Sequence, residues 1–128
     1  MSGNGFSGIA TEEKQRVLSE LAELKATLAA RGLFAGTSGN LSARVGAYSP
    51  ERFHFAITAS GKDKSRSTPE DFLFVDQDGK PAEATALKPS AETLIHCEIY
   101  RLTGCGAIAH VHTVYNNVVS EWFWERRA

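Results

Sequence analysis

A chain of 128 residues with 42% hydrophobic and 23% charged side chains has the balance of one globular domain. That balance excludes a disordered tract, a collagen-like repeat and a coiled-coil rod. The 14 basic and 15 acidic residues leave a net charge of −1, so no basic field gathers nucleic acid, and no run approaches the ~18 apolar residues of a membrane span.

Residues 1–10 are small and polar and read as a disordered lead, which puts the domain over residues 11–128. Thr11 reads as the N-cap of a helix, with Glu12 and Glu13 in its first turn. Val17, Leu21, Leu24 and Leu28 make one apolar stripe, and Gly32 is the stop. After a loop at Gly36-Thr37-Ser38-Gly39-Asn40, the apolar Leu41, Ala43 and Val45 alternate with Ser42 and Arg44, a half-buried strand. Residues 46–52 read as a turn. Phe53, Phe55 and Ile57 predict a second, antiparallel strand, with His54 on its opposite, solvated face. Thr68-Pro69-Glu70-Asp71 has the cap, proline and acid of a short helical turn. Phe72 to Val75 reads as a buried strand, and Asp78-Gly79 as a turn. A second helix opens at Lys88-Pro89-Ser90, with Leu94, Ile95, Ile99 and Leu102 on its core side and Gly104 at its end. Ala107 to His112 reads as a strand, and a third helix is expected from Asn116, carrying Val118, Val119, Trp122 and Phe123.

The sharpest chemical feature is His110-Val111-His112. Residues two apart on a strand share a face about 6.6 Å apart, where two imidazoles can hold one divalent ion at ~2.0–2.1 Å. A catalytic zinc usually takes three protein ligands, so the pair needs a further one. Glu92 stands in the first turn of the preceding helix; its plain reading is dipole complementation, and near a metal it is a ligand or a general base. His54 and His96 carry weaker signals. Three stretches, Gly36 to Asn40, Thr58 to Lys62 and Lys88 to Ala91, combine hydroxyls with main-chain N–H groups on glycine or at a helix start. Such groups bind phosphate, and the absence of a Gly-x-x-x-x-Gly-Lys-Ser/Thr sequence argues against a nucleotide loop. Cys97 and Cys105 are too few for a disulfide framework and are not spaced as Cys-x-x-Cys. With no secretory leader, the chain reads as cytoplasmic.

The runs Gly36 to Ser42 (GTSGNLS), Ile57 to Lys64 (ITASGKDK), Lys88 to His96 (KPSAETLIH) and Gly104 to Asn117 (GCGAIAHVHTVYNN) resemble the class II aldolase superfamily. The second and third resemble its methylthioribulose-1-phosphate dehydratase branch, of the methionine salvage pathway. The resemblance implies a three-layer α/β/α sandwich around a mostly antiparallel sheet, a homotetramer, a zinc cofactor and a small phosphorylated sugar as substrate. By it, His110 and His112 match the first two metal histidines, and Gly39, Asn40, Ser60, Gly61 and Ser90 match phosphate-binding positions. Glu92 matches the acid/base of the aldolases. A third metal histidine and the dehydratases' own glutamate are expected beyond Ala128, so the chain reads as roughly the first three-fifths of the family domain. The implied reaction is dehydration of 5-methylthioribulose 1-phosphate to 2,3-diketo-5-methylthiopentyl 1-phosphate. Another sugar-phosphate aldolase or epimerase, and a non-catalytic truncated chain, are the alternatives.

Overall fold

The computed structural model describes residues 5–32, 39–60 and 71–110. The first helix, α1 (Thr11–Ala30), forms where the apolar stripe predicts it and buries Val17, Leu21, Leu24 and Leu28. Each such side chain contributes about 1.5–3 kcal/mol by leaving water. Ala10, not Thr11, is the N-cap, and no side chain caps the helix. The first-turn acid Glu13 has a different use, accepting the Gly46 N–H on Oε2 at 2.8 Å. Residues 5–10, read from the sequence as part of a disordered lead, are structured. Phe6 opens a 3-10 turn (Phe6–Gly8), and its buried ring packs on Phe74 and His54.

The remaining elements are β1 (Asn40–Ser49), β2 (Arg52–Thr58), β3 (Phe72–Asp76), α2 (Thr93–Thr103) and β4 (Ala107–His110). The four described strands pair antiparallel in the order β3-β2-β1-β4. β1 runs past Val45 to Ser49, so the expected 46–52 turn narrows to Pro50-Glu51. An irregularity between Val45 and Ser49 bends it, and Gly46 there holds φ +78, a conformation that side chains disfavour.

Strand alternation divides the core. Leu41, Ala43, Val45, Ala56 and Phe74 face α1. Phe53, Phe55, Ile57, Leu73 and Val75 pack on the other side with Cys97 and Tyr100 of α2. Helix, antiparallel sheet and helix make the three layers of an α/β/α sandwich. A buried ion pair, Lys25 Nζ to Asp71 Oδ2 at 3.1 Å, ties α1 to the residue that leads into β3. No helix among the described residues is long and apolar enough to cross a membrane.

Two expectations about sidedness are overturned. His54 is not solvated: it lies on the α1 side of β2, buried against Phe6. The N-terminal segment covers a face that the strand pattern alone leaves open. The core side of α2 is not its leucines and isoleucines. Leu94, Ile95 and Leu102 are 68%, 58% and 75% exposed, and Ile99 is half-buried. The buried stripe is Thr93, His96, Cys97 and Tyr100, itself spaced as one helical face. It wins because the polar atoms of His96 and Tyr100 find partners on β1. Thr68-Pro69-Glu70, Gly61, His112 and the helix expected from Asn116 lie outside the described residues.

Candidate functional site

The site is set by strand register. β1 and β4 pair so that Asn40 lies directly opposite His110. Arg44 fixes that register: its main-chain N–H donates to Gly106, and its guanidinium donates to the carbonyls of Cys105 at 2.6 Å and Gly104 at 3.0 Å. Gly104, at φ +66, ends α2 and starts the return to β4.

The start of α2 brings the third partner. Glu92 is the N-cap residue, not a first-turn residue, and its N–H donates to Ser90 Oγ at 3.2 Å. Its Oε1 accepts from Asn40 Nδ2 at 2.8 Å and from His110 Nδ1 at 2.6 Å. One carboxylate oxygen therefore joins the end of the glycine loop to the histidine strand. Helix-dipole complementation alone does not account for a carboxylate bound by both.

Behind this pair lies a buried polar chain. Asn40 Oδ1 bonds His96 Nε2. His96 Nδ1 bonds Ser42 Oγ at 2.6 Å, and Ser42 Oγ bonds the Tyr100 hydroxyl at 2.7 Å. Burial pushes the His96 imidazole pKa down to about 4; nearby Glu92 pulls it upward and His110 lowers it further. His96 is therefore neutral in ordinary buffers. Sequence reasoning left it with little weight and missed Ser42 and Tyr100. The available signal was the Thr93, His96, Cys97, Tyr100 spacing, which puts two polar rings on one helical face.

The serine loops also meet. Ser60 N–H donates to Lys88 O at 2.7 Å, and Ser90 N–H to Thr58 O at 3.2 Å. Ala59 bridges Pro89 between them. Thr58 Oγ1 in turn accepts the Leu41 N–H at 3.4 Å. Gly39, at φ +83, precedes Asn40. So the structure gathers Gly39, Asn40, Ser60, Ser90, Glu92 and His110 at one end of the β1–β2 ladder. Gly61 and His112 fall outside the described residues. Cys97 is no nucleophile: burial, with Asp76 and Asp78 adding to it, pushes its thiol up to about 11.

The description Class II Aldolase and Adducin N-terminal domain matches residues 19–126. The chain belongs to this family. It is 56% identical over 109 residues to a methylthioribulose-1-phosphate dehydratase of Geobacillus thermodenitrificans (strain NG80-2), covering 85% of this chain and 50% of the relative. It is 53% identical over 115 residues to the same-named protein of Bacillus subtilis (strain 168), covering 89% and 54%. The chain thus spans about half the length of the curated relatives it matches. Among solved structures, the L-fuculose-1-phosphate aldolase of Thermus thermophilus superposes with a TM-score of 0.60 at 36% identity. That match covers 77% of this chain and 47% of the aldolase.

In this class II aldolase chain, no three His, Cys, Asp or Glu side chains gather as a metal cluster among the described residues. The described part does contain the supporting contact that metal-binding histidines usually make. A ring N–H given to a carboxylate fixes the tautomer, so that the other nitrogen, here Nε2, carries the lone pair. The His110–Glu92 pair is such a contact, and the donor chemistry fits a divalent ion.

Proposed function

We propose that the chain carries the phosphate cradle and part of the metal centre of a methylthioribulose-1-phosphate dehydratase. The single observation that carries this reading is the Glu92 carboxylate bonded at once to Asn40 and His110. It couples the loop that would hold the substrate's phosphate to the strand that would hold the ion. The relatives named as dehydratases, at 53–56% identity, support this choice of reaction.

In this reading His110 and His112 hold one zinc ion, with a third ligand from elsewhere. The chemistry such an ion supplies is polarisation of a carbonyl oxygen. This chain's own residues would bind and orient the substrate. Gly39, Asn40, Ser60, Gly61 and Ser90 bind the phosphate, which fixes the carbon skeleton in one register. Asn40 has two amide hydrogens: one goes to Glu92, and a phosphate oxygen would take the other. Glu92 is assigned to proton transfer beside the carbonyl, a role that accounts for about 10²–10⁴-fold in rate where it operates. Its two donors at Oε1 hold the carboxylate in place. The reading also carries a homotetramer and a cytoplasmic location, in keeping with Cys97 and Cys105 as free thiols.

The likeness to L-fuculose-1-phosphate aldolase favours a second reading, cleavage of a sugar phosphate. Product analysis separates the two. The zinc-loaded chain is incubated with 5-methylthioribulose 1-phosphate and with an aldol sugar phosphate. A 2,3-diketone from the first supports the dehydratase, aldehyde fragments from the second support the aldolase, and neither product with zinc bound supports a non-catalytic chain.

A further inference from the structure

The buried chain behind Glu92 has a forced direction. A carboxylate only accepts, so the Asn40 amide nitrogen must face Glu92. That turns the Asn40 carbonyl to His96, and a carbonyl also only accepts. His96 therefore carries its proton on Nε2. Neutral, its Nδ1 accepts, and Ser42 must be the donor. The single hydroxyl hydrogen of Ser42 is then used, so the Tyr100 hydroxyl donates to Ser42. Every hydrogen bond in the series Tyr100, Ser42, His96, Asn40, Glu92 points toward the carboxylate. The interior members are fully withdrawn from water: Ser42 and Tyr100 are 0% exposed and His96 2%. This is an unusual use of a helix core face while Leu94, Ile95 and Leu102 stay exposed.

We propose that His96 is a positioning residue: a buried imidazole that gives its Nε2–H to the Asn40 carbonyl and takes the Ser42 hydroxyl on Nδ1, so that it locks the Asn40 carboxamide in the facing that Glu92 requires and thereby holds Glu92 against His110. A flipped Asn40 would aim its carbonyl at the carboxylate. It would repel Glu92 and loosen the bond that fixes the His110 tautomer. His96 acts through two other side chains. The proposal rests on the reading of His110 as a metal ligand for its functional consequence, but not for its geometry.

The test uses the full 128-residue chain, ¹⁵N-labelled, as wild type, His96→Leu and His96→Gln. Long-range imidazole spectra report the tautomers, cobalt(II) titration reports ion affinity, and thermal unfolding reports the fold. In wild type, His96 is expected on Nε2–H and His110 on Nδ1–H. His96→Leu should lose about tenfold or more in cobalt affinity, the usual scale for loss of an outer partner of a ligand, and should mix the His110 tautomers. His96→Gln offers an amide N–H to Asn40 and an oxygen to Ser42. It should keep the His110 tautomer and stay within about threefold of wild type, on the same scale. Equal losses in both variants, or unfolding changes with the His110 tautomer untouched, would show a merely structural role and overturn the proposal. If wild type binds no cobalt, the two histidines do not hold an ion without the third ligand, and the His110 tautomers in the Leu and Gln variants still decide the positioning role. If His96→Leu does not fold, the wild-type spectrum decides: a proton on His96 Nδ1 overturns the proposal.

Discussion

Acid should unfold this chain partly through His96, and the size of the effect follows from its burial. In the unfolded chain the imidazole titrates near 6.5; in the folded chain burial lowers it to about 4. Above the unfolded value both states are neutral, and the stability this group confers is complete. As pH falls through 6.5 the unfolded chain takes up a proton that folded His96 refuses. Stability then drops until folded His96 also protonates, near pH 4. The gap between 6.5 and about 4 corresponds to roughly 3 kcal/mol. That is a large part of the roughly 5–15 kcal/mol typical of a domain. His54, also lowered by burial, shifts stability in the same direction, so the measurement must isolate His96. Urea unfolding free energies of wild type and His96→Gln, taken from about pH 7.5 to about pH 4.5, do so. The difference between the two proteins should shrink or reverse by about 2–3 kcal/mol across that range, with wild type losing more. Parallel curves would mean that His96 is protonated or solvated in the folded chain, and the donor direction assigned to it would be wrong.

Lys25→Met should cost about 3–5 kcal/mol, because it removes from Asp71 a partner held at 3.1 Å in a buried pair; urea unfolding measures it, and a loss under about 1 kcal/mol would place the pair in effectively high dielectric. Pairing it with Asp71→Leu should recover most of the loss, which a double-mutant cycle reads directly. His110→Ala and His112→Ala should each release most bound zinc in equilibrium dialysis, since a lone imidazole does not chelate; unchanged zinc in both removes the metal assignment. Cys97, buried and with its thiol raised to about 11, should resist alkylation at neutral pH until the chain is denatured, and prompt labelling of the native chain at Cys97 by mass spectrometry would contradict its placement.

Elements with strong periodicity were legible in the sequence. The α1 stripe, the Phe53–Phe55–Ile57 alternation and the continuous Phe72–Val75 run each name a core face without reference to anything distant. Chain punctuation was legible for the same reason: Gly79 and Gly104 do hold positive φ where a turn and a helix end were expected. The failures share a different cause. His54, Phe6 and the buried face of α2 are decided by partners far along the chain. Leu94, Ile95 and Leu102 outrank His96 and Tyr100 on any hydrophobicity scale. Only the presence of Ser42 and Asn40 on the facing strand makes the polar stripe the better one to bury. A buried polar group is costly unless bonded, and cheap once bonded. One-dimensional pattern reading sees the cost and not the partner. The same blindness applied to Glu92, which in sequence is a routine acid at a helix start.

What the sequence pattern of His110 and His112 leaves open is why those histidines should meet Glu92 at all, and the answer lies in backbone pairing. A slip of one residue between β1 and β4 would turn His110 to the α1 side of the sheet. It would also place Ala109 or Val111 opposite Asn40. Arg44 prevents that slip from the far end of the ladder. Its three donors take the carbonyls of Gly104, Cys105 and Gly106, which are the residues that turn the chain from α2 into β4. The other end is closed by Glu92 itself, whose helix is pinned where Ser90 and Ala59–Pro89 join β2. The Asn40–Glu92–His110 contact is thus over-determined: two strand registers and one helix start must all be right for a single oxygen to accept both hydrogen bonds. Such a contact tolerates little displacement, and the outward-pointing donor series through His96 adds the one degree of freedom that register cannot set, the facing of the Asn40 amide.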